Sequence, residues 1–250
     1  MFGVPLLLWR IVTPPSIGDM LSENGPVVAL RRLRPEDLPF VVDQHLQHFP
    51  DGFFARLGRA FLTEYYLSYC TDHSSCAVVA TDGAEPIGAL AGTSDLVGHR
   101  RHVISAHGRA LTKRAVLALI RNPPLAVSFA RTRGMRYLKK LVFRRGRAPA
   151  ASGPARRSAV LHHVVVVAEY RGRGVGAALI EAFEDDARHA GCHELTLVTQ
   201  TGGPAADYYR RSGWTAVGEH RTPDGTPLST FTKAVTSREA GPQDRRFVAE

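Results

Sequence analysis

Hydrophobic positions along the chain switch between a period of two and a period near 3.6, and the switches mark the expected elements. Residues 27–34 predict a first strand. Pro35, Glu36 and Asp37 then open a helix to about His48, with proline in the first turn and acids near the positive end of the dipole. Residues 49–52 predict a turn. Residues 53–70 predict a second helix, in which Phe54, Leu57, Phe61, Leu62, Tyr65 and Tyr69 recur at helical spacing as a core face. Short apolar runs at 76–80 and 87–91 flank Asp82-Gly83. That is a hairpin signature, with a loop longer than a minimal two-residue turn.

Helical patterns follow at 113–121 and 124–143, broken at Pro123-Pro124, and residues 146–158 read as a linker-like return. Residues 159–167 predict a strong strand, and a glycine-rich turn leads into a helix at 175–190. Its Ala178, Leu179, Ala182, Phe183 and Ala187 share one face, and Gly191 stops it. A strand at 194–199 and a short helix at 204–212, stopped by Gly213, come next. Strands at 214–219 and 228–233, joined by the turn Pro223-Asp224-Gly225, close the pattern. Residues 1–26 read as an irregular leader, because Pro14, Pro15, Gly18, Gly25 and Pro26 interrupt any element there. The tail from about 236 is polar and expected to fray. The expected class is mixed α/β (α+β): a mostly antiparallel sheet flanked by helices. One domain is expected over 27–235, with a helical insertion at 97–157 between the third and fourth strands.

Composition narrows the class. The chain has 250 residues, 44% hydrophobic and 22% charged, which fits a globular protein. Cys70, Cys76 and Cys192 are an odd set without CxxC spacing. They indicate neither a disulfide framework nor a zinc site, and a reducing cytoplasm is the simpler expectation. The apolar opening stretch lacks a basic flank and a cleavage site, and no run is long enough to span a bilayer. Net charge is +9, and its placement matters more than its size. Residues 96–157 hold sixteen Lys or Arg and no Asp or Glu. Such a segment attracts coenzyme phosphates, a nucleotide, nucleic acid or a lipid headgroup, unless it is only a solvated helical face.

The glycine-rich turn carries the chemistry. In Arg171, Gly172, Arg173, Gly174, Val175, Gly176 and Ala177, glycines let the backbone approach a ligand closely. Successive N–H groups at the next helix start then converge on a phosphate or pyrophosphate. Gly172, Gly174 and Ala177 also satisfy the dinucleotide fingerprint. Against that reading, Thr199-Gln200-Thr201 stands where the ribose-binding acid should be, two arginines crowd the turn, and too little chain follows for a doubly wound sheet.

Residues 171–176 resemble the R/Q-x-x-G-x-G/A pyrophosphate loop of the GNAT superfamily of acetyltransferases. Ala168 stands where the preceding phrase usually has proline. A second signature, A-x-x-x-Y-x-x-x-G-F, is matched by Ala205, Tyr209, Gly213 and Trp214, while Gly202 replaces an Asn that often helps hold the pantetheine. The resemblance covers about 27–96 and 158–235. It implies acetyl-CoA as co-substrate, no metal, and direct transfer of the acyl group to an amine without a covalent enzyme intermediate.

By the same resemblance, Val164, Val165 and Val166 lie against pantetheine, and Tyr209 is the general acid at the coenzyme sulfur. Tyr208 takes an apolar packing position and Glu169 a structural one. For the base, strand alternation puts His162 on the face of Val164 and Val166, in register with a strand histidine of arylalkylamine acetyltransferases. His163, a water chain or a carboxylate elsewhere are the alternatives, and His163 is also a candidate acceptor contact. The family builds its acceptor site from the first two helices, their turn and the final strands. That nominates Phe49, Pro50, Asp51 and Phe53, with Asp51 able to attract an ammonium.

The expected function is acetyl transfer to a small amine, an aminosugar or a natural-product amine. A peptide or protein acetyltransferase is the enzyme alternative. A non-catalytic module docking on nucleic acid is the third reading, weakened by the lack of a nucleic-acid motif or an aromatic stacking pattern. A homodimer is compatible with the sequence.

Overall fold

A computed structural model of the chain describes residues 28–131, 157–222 and 225–235. The expected leader, the tail, the turn residues 223–224, most of the linker-like return and the helical pattern beyond 131 lie outside the described residues.

Seven strands form one sheet in the order β1-β2-β3-β4-β5-β7-β6. They are β1 (Val28–Arg32), β2 (Ser75–Asp82), β3 (Glu85–Thr93), β4 (Ser158–Val166), β5 (Glu194–Gln200), β6 (Thr215–Arg221) and β7 (Pro227–Ala234). Every pairing is antiparallel except β4 with β5. The helices are α1 (Leu38–His48), α2 (Phe53–Arg56), α3 (Arg59–Thr71), α4 (Leu96–His102), α5 (Gly108–Arg121), α6 (Pro123–Phe129), α7 (Val175–His189) and α8 (Pro204–Arg211). The mixed, mostly antiparallel sheet with flanking helices is the expected class.

Alternation along β2 divides the core. Val78 and Ala80 face α7, where Leu179, Phe183 and Ala187 are buried with Leu161, Leu195 and Phe231. Ala77 and Val79 face the other way, onto Val42 of α1 and Leu62, Tyr66 and Tyr69 of α3. A third, small cluster of Leu57, Phe61 and Leu125 seats α5 and α6 on α2 and α3.

Three expectations change. The second helix is not continuous: it stops after α2 and restarts as α3, because Gly58 sits at φ 88° in the left-handed region. The β2–β3 turn is the two-residue kind, since the strands run on to Asp82 and Glu85. The insertion becomes helical at Leu96 rather than at 113. Asp95 caps α4 by accepting from the amides of Val97 and Gly98, and a π-helical turn at Val103–His107 carries the chain into α5. The break expected at Pro123-Pro124 is present: α5 ends at Arg121, Asn122 caps α6, and the two prolines start it, where a missing N–H costs nothing.

Candidate active site

β4 and β5 pair only from Ser158 opposite Glu194 to Leu161 opposite Leu197. Beyond Leu161 the two strands part. β4 stays bonded to β3 as far as Val166, and β5 stays bonded to β7 as far as Gln200. The β5-facing backbone edge at Val164, Val165 and Val166 is thus left without a strand partner, as expected of strands that splay.

The loop after β4 closes this opening. A 3-10 turn at Ala168–Tyr170 leads to Gly172 at φ 74° and Gly174 at φ 82°, and α7 starts at Val175. A β-carbon on either glycine would meet nothing within 4 Å, so the backbone conformation, not space, demands glycine. The amides of Val175, Gly176 and Ala177 lie in the first turn of α7, where no intrahelical acceptor exists. They present partial positive charge at the mouth of the opening. Both arginines also brace the loop. Arg171 donates from Nε to the Val166 carbonyl at 2.9 Å and from Nη2 to Nε2 of His48 at 2.8 Å. Burial, and then the Arg171 charge, lower the His48 pKa, which suits a neutral ring accepting that bond. Arg173 lies over the Tyr170 ring at 5.4 Å, and the Tyr170 hydroxyl donates to Asp82 at 2.8 Å.

Tyr209 sits across the opening on α8, 5% exposed. Its ring centroid is 5.6 Å from Trp214, 6.1 Å from Phe231 and 5.5 Å from Tyr208. Burial, and then Tyr208, push its phenol above the ordinary value, so it holds its proton at neutral pH. The indole Nε1 of Trp214 is buried without a partner among the described residues.

The histidines depart from simple alternation. Between Ala91 opposite His163 and Gly92 opposite Leu161, β4 carries one extra residue, His162. This bulge resets the alternation. Leu161, Val164 and Val166 face α7, whereas His162 turns to α3, not to the face of Val164 and Val166. Nδ1 of His162 lies 3.1 Å from the Tyr69 hydroxyl, which lies 2.8 Å from the Tyr65 hydroxyl. His163 also faces α1 and α3. Its ring is 4.9 Å from His45 and 5.8 Å from Phe49 and Tyr66, and Nδ1 of His45 meets the Tyr66 hydroxyl at 2.8 Å. Burial dominates all three imidazoles. It lowers His45 to about 4. With the charges of His99 and Arg100 it lowers His162 to about 4, and with those of His45 and His162 it lowers His163 to about 3.

Two further groups at this face carry no spacing signal. Asp72, at the end of α3, holds Nδ1 of His99 at 2.6 Å, and the His99 ring lies 4.5 Å from Tyr69 and 6.2 Å from His162. Burial raises the Asp72 pKa, but bonds from Ser74 and His99 outweigh it and the net shift is downward. Nε2 of His99 is buried without a partner among the described residues. Helical spacing correctly assigns Tyr65 and Tyr69 to the inner face of α3. Where their hydroxyls end is set by the bulge across from them.

A cavity of about 10 Å³, room for roughly one water, opens beside His163 and is walled by Leu33, Val41, His45, Phe49, Tyr66 and Val165. Of the residues nominated for the acceptor, His163 and Phe49 line it. Asp51 is exposed, and Phe53 stacks on Phe129 of α6 at 5.5 Å, outside this wall. No direct contact joins Tyr209 to His162. They stand on opposite sides of β4, Tyr209 with the core under α7 and His162 against Tyr69 of α3.

Residues 127–214 match the sequence model of the Acetyltransferase (GNAT) family. No curated protein sequence matches the chain. Among solved structures, SsHAT aligns with a TM-score of 0.55 at 21% identity, covering 85% of this chain and 100% of that one. Ard1 from Thermoplasma volcanium aligns with a TM-score of 0.52 at 14% identity, covering 84% and 99%. NAA60 of Arabidopsis thaliana, solved with a bisubstrate analogue, gives the same TM-score and identity, covering 84% and 99%. At these identities the likeness is one of fold.

Proposed function

We propose, from the match of residues 127–214 to the GNAT acetyltransferase family, that the chain moves an acetyl group from acetyl-CoA to the primary amine of a small molecule, an aminosugar or a natural-product amine. The single observation that carries this reading is the opening between β4 and β5. It offers an unpaired strand edge and, at one end, the free amides of a helix start. That pairing suits a ligand with an amide-bearing arm and a pyrophosphate: the arm extends the strand edge and the anion sits on the amides.

The chemistry follows from three groups. A neutral amine attacks the thioester carbon; the carbon–sulfur bond breaks, leaving an amide and a thiolate. In this reading Tyr209, whose burial keeps it protonated, gives the thiolate its proton. The proton lost by the amine needs an acceptor on the other side of β4. His162 can be that acceptor at Nε2 if its Nδ1 donates to Tyr69 and Tyr69 donates in turn to Tyr65.

The test is free-thiol release with acetyl-CoA against a panel of small amines and N-terminal peptides, with the acetylated product identified by mass. Turnover on small amines supports the proposal. Turnover confined to peptides would replace the acceptor class, and a chain that binds no acetyl-CoA would remove the enzyme reading altogether.

A further inference from the structure

The helical insertion presents to solvent a face that neither the fold nor the proposed chemistry uses. On α5, Leu111, Ala115, Ala118 and Leu119 turn inward onto Leu57, Phe61 and Leu125. The opposite face carries Arg109, Lys113, Val116 and Ile120, spaced i, i+4, i+7 and i+11, with Leu117 and Arg121 at its margin. Val116 is 48% exposed and Ile120 71%; Ile104, in the turn before α5, is 75% exposed. From Leu96 to Arg131 the chain has seven Lys or Arg and no acidic residue. Arg114 alone of these turns inward, to Glu64 at 3.1 Å; the other six form no ion pair among the described residues.

We propose that this face of the insertion docks on a bilayer surface rich in anionic lipid headgroups. Aliphatic side chains ringed by lysine and arginine, on a helix too short to span a membrane, are the arrangement that lies in a headgroup layer. The aliphatic residues enter the acyl boundary, and the cations meet the lipid phosphates. Nucleic acid would use the cations but leave Val116, Leu117 and Ile120 without a role. Base stacking needs aromatic rings, and Phe129, the sole Phe, Tyr or Trp between Leu96 and Arg131, is already stacked on Phe53. The sixteen basic residues between 96 and 157 add long-range attraction of the same sign.

The experiment is co-sedimentation of the full chain with phosphatidylcholine vesicles, with and without about a third phosphatidylglycerol, over a series of salt concentrations. Binding is expected to the anionic vesicles alone and to weaken as salt rises. Lys113→Gln with Arg121→Gln should weaken it about thirtyfold, about fivefold per charge. Ile120→Ser should weaken it about tenfold or more, because a buried aliphatic side chain is lost from the lipid. These side chains are exposed, so thermal unfolding of each variant should match the parent. Equal binding to neutral vesicles, no binding to anionic vesicles at low salt, or anionic binding untouched by the Ile120 and Lys113 changes would each overturn the proposal. Salt-dependent binding to duplex DNA that ignores Ile120→Ser, without vesicle binding, would put nucleic acid in place of the bilayer.

Discussion

Single side chains carry the most direct consequences. Tyr209 keeps its proton because burial denies the phenolate its water. Tyr209→Phe should slow thiol release about 100-fold or more, the usual scale for losing a positioned acid. Acetyl-CoA affinity, read by calorimetry, should stay within about twofold. Equal turnover in the variant would end the role. His162 behaves differently from a free imidazole. Burial first, and then the charges of His99 and Arg100, hold its pKa at about 4 and leave it neutral through the physiological range. His162 should therefore put no limb near 6.5 in the rate profile. A limb there that vanishes in His162→Gln would show the environment has been misjudged. Asp37 is a structural counterpart. Burial opposes its charge, but two bonds of 2.6 Å from Arg31 and one from the Arg34 amide outweigh that, and its pKa falls. Its stabilisation is present above the ordinary carboxylate range and is lost as acid titrates the folded carboxylate. Asp37→Asn should cost about 2–3 kcal/mol in urea unfolding at neutral pH.

At the scale of elements, the loop before α7 and the seat of the insertion decide different things. Gly174 caps α7 at φ 82°, a conformation that strains a β-branched residue by about 1–3 kcal/mol. Gly174→Val should raise the KM for acetyl-CoA about tenfold by tilting the first-turn amides, with a smaller change in kcat. An unaltered KM would mean those amides do not hold the coenzyme. Leu125 of α6 is fully buried against Leu57 and Phe61. Leu125→Ala should cost about 2–5 kcal/mol and loosen the insertion before the sheet. Hydrogen exchange should show this as faster exchange in α5 and α6 than in β2 and β3. The bulge at His162 is also an element-scale feature. One extra residue in β4 turns an imidazole from the α7 face to the α3 face, so a period-two count gives the wrong side beyond it.

Over the whole molecule, three imidazoles lie on one face of the sheet, His45 buried and His162 and His163 half-buried. His45 and His162 lie at about 4 and His163 at about 3, below the ordinary 6.5 of an unfolded histidine. Between about pH 6.5 and 4 the unfolded chain binds protons that the folded chain refuses. Stability is therefore complete above 6.5 and falls as the pH drops through that window. Melting temperature should decline accordingly, and His163→Gln should flatten the decline. A flat profile in the parent would mean that the imidazoles are solvated.

The sequence by itself determined the order of elements, the buried face of α7 and the glycine-rich turn before it. Each of these rests on local chemistry: periodicity, proline and glycine conformation, and the free amides of a helix start. Tertiary structure alone decided the rest. Gly58 splits a helix that periodicity reads as one, because a glycine's φ is not written in apolar spacing. The faces of His162 and His163 depend on a bulge whose register is set by β3, and the Tyr65–Tyr69–His162 chain depends on which helix packs over it. The basic stretch announced its charge in the sequence. Which of its residues turn inward onto Leu57 and Phe61, and which stay in water, only the packing of α5 on α3 could settle.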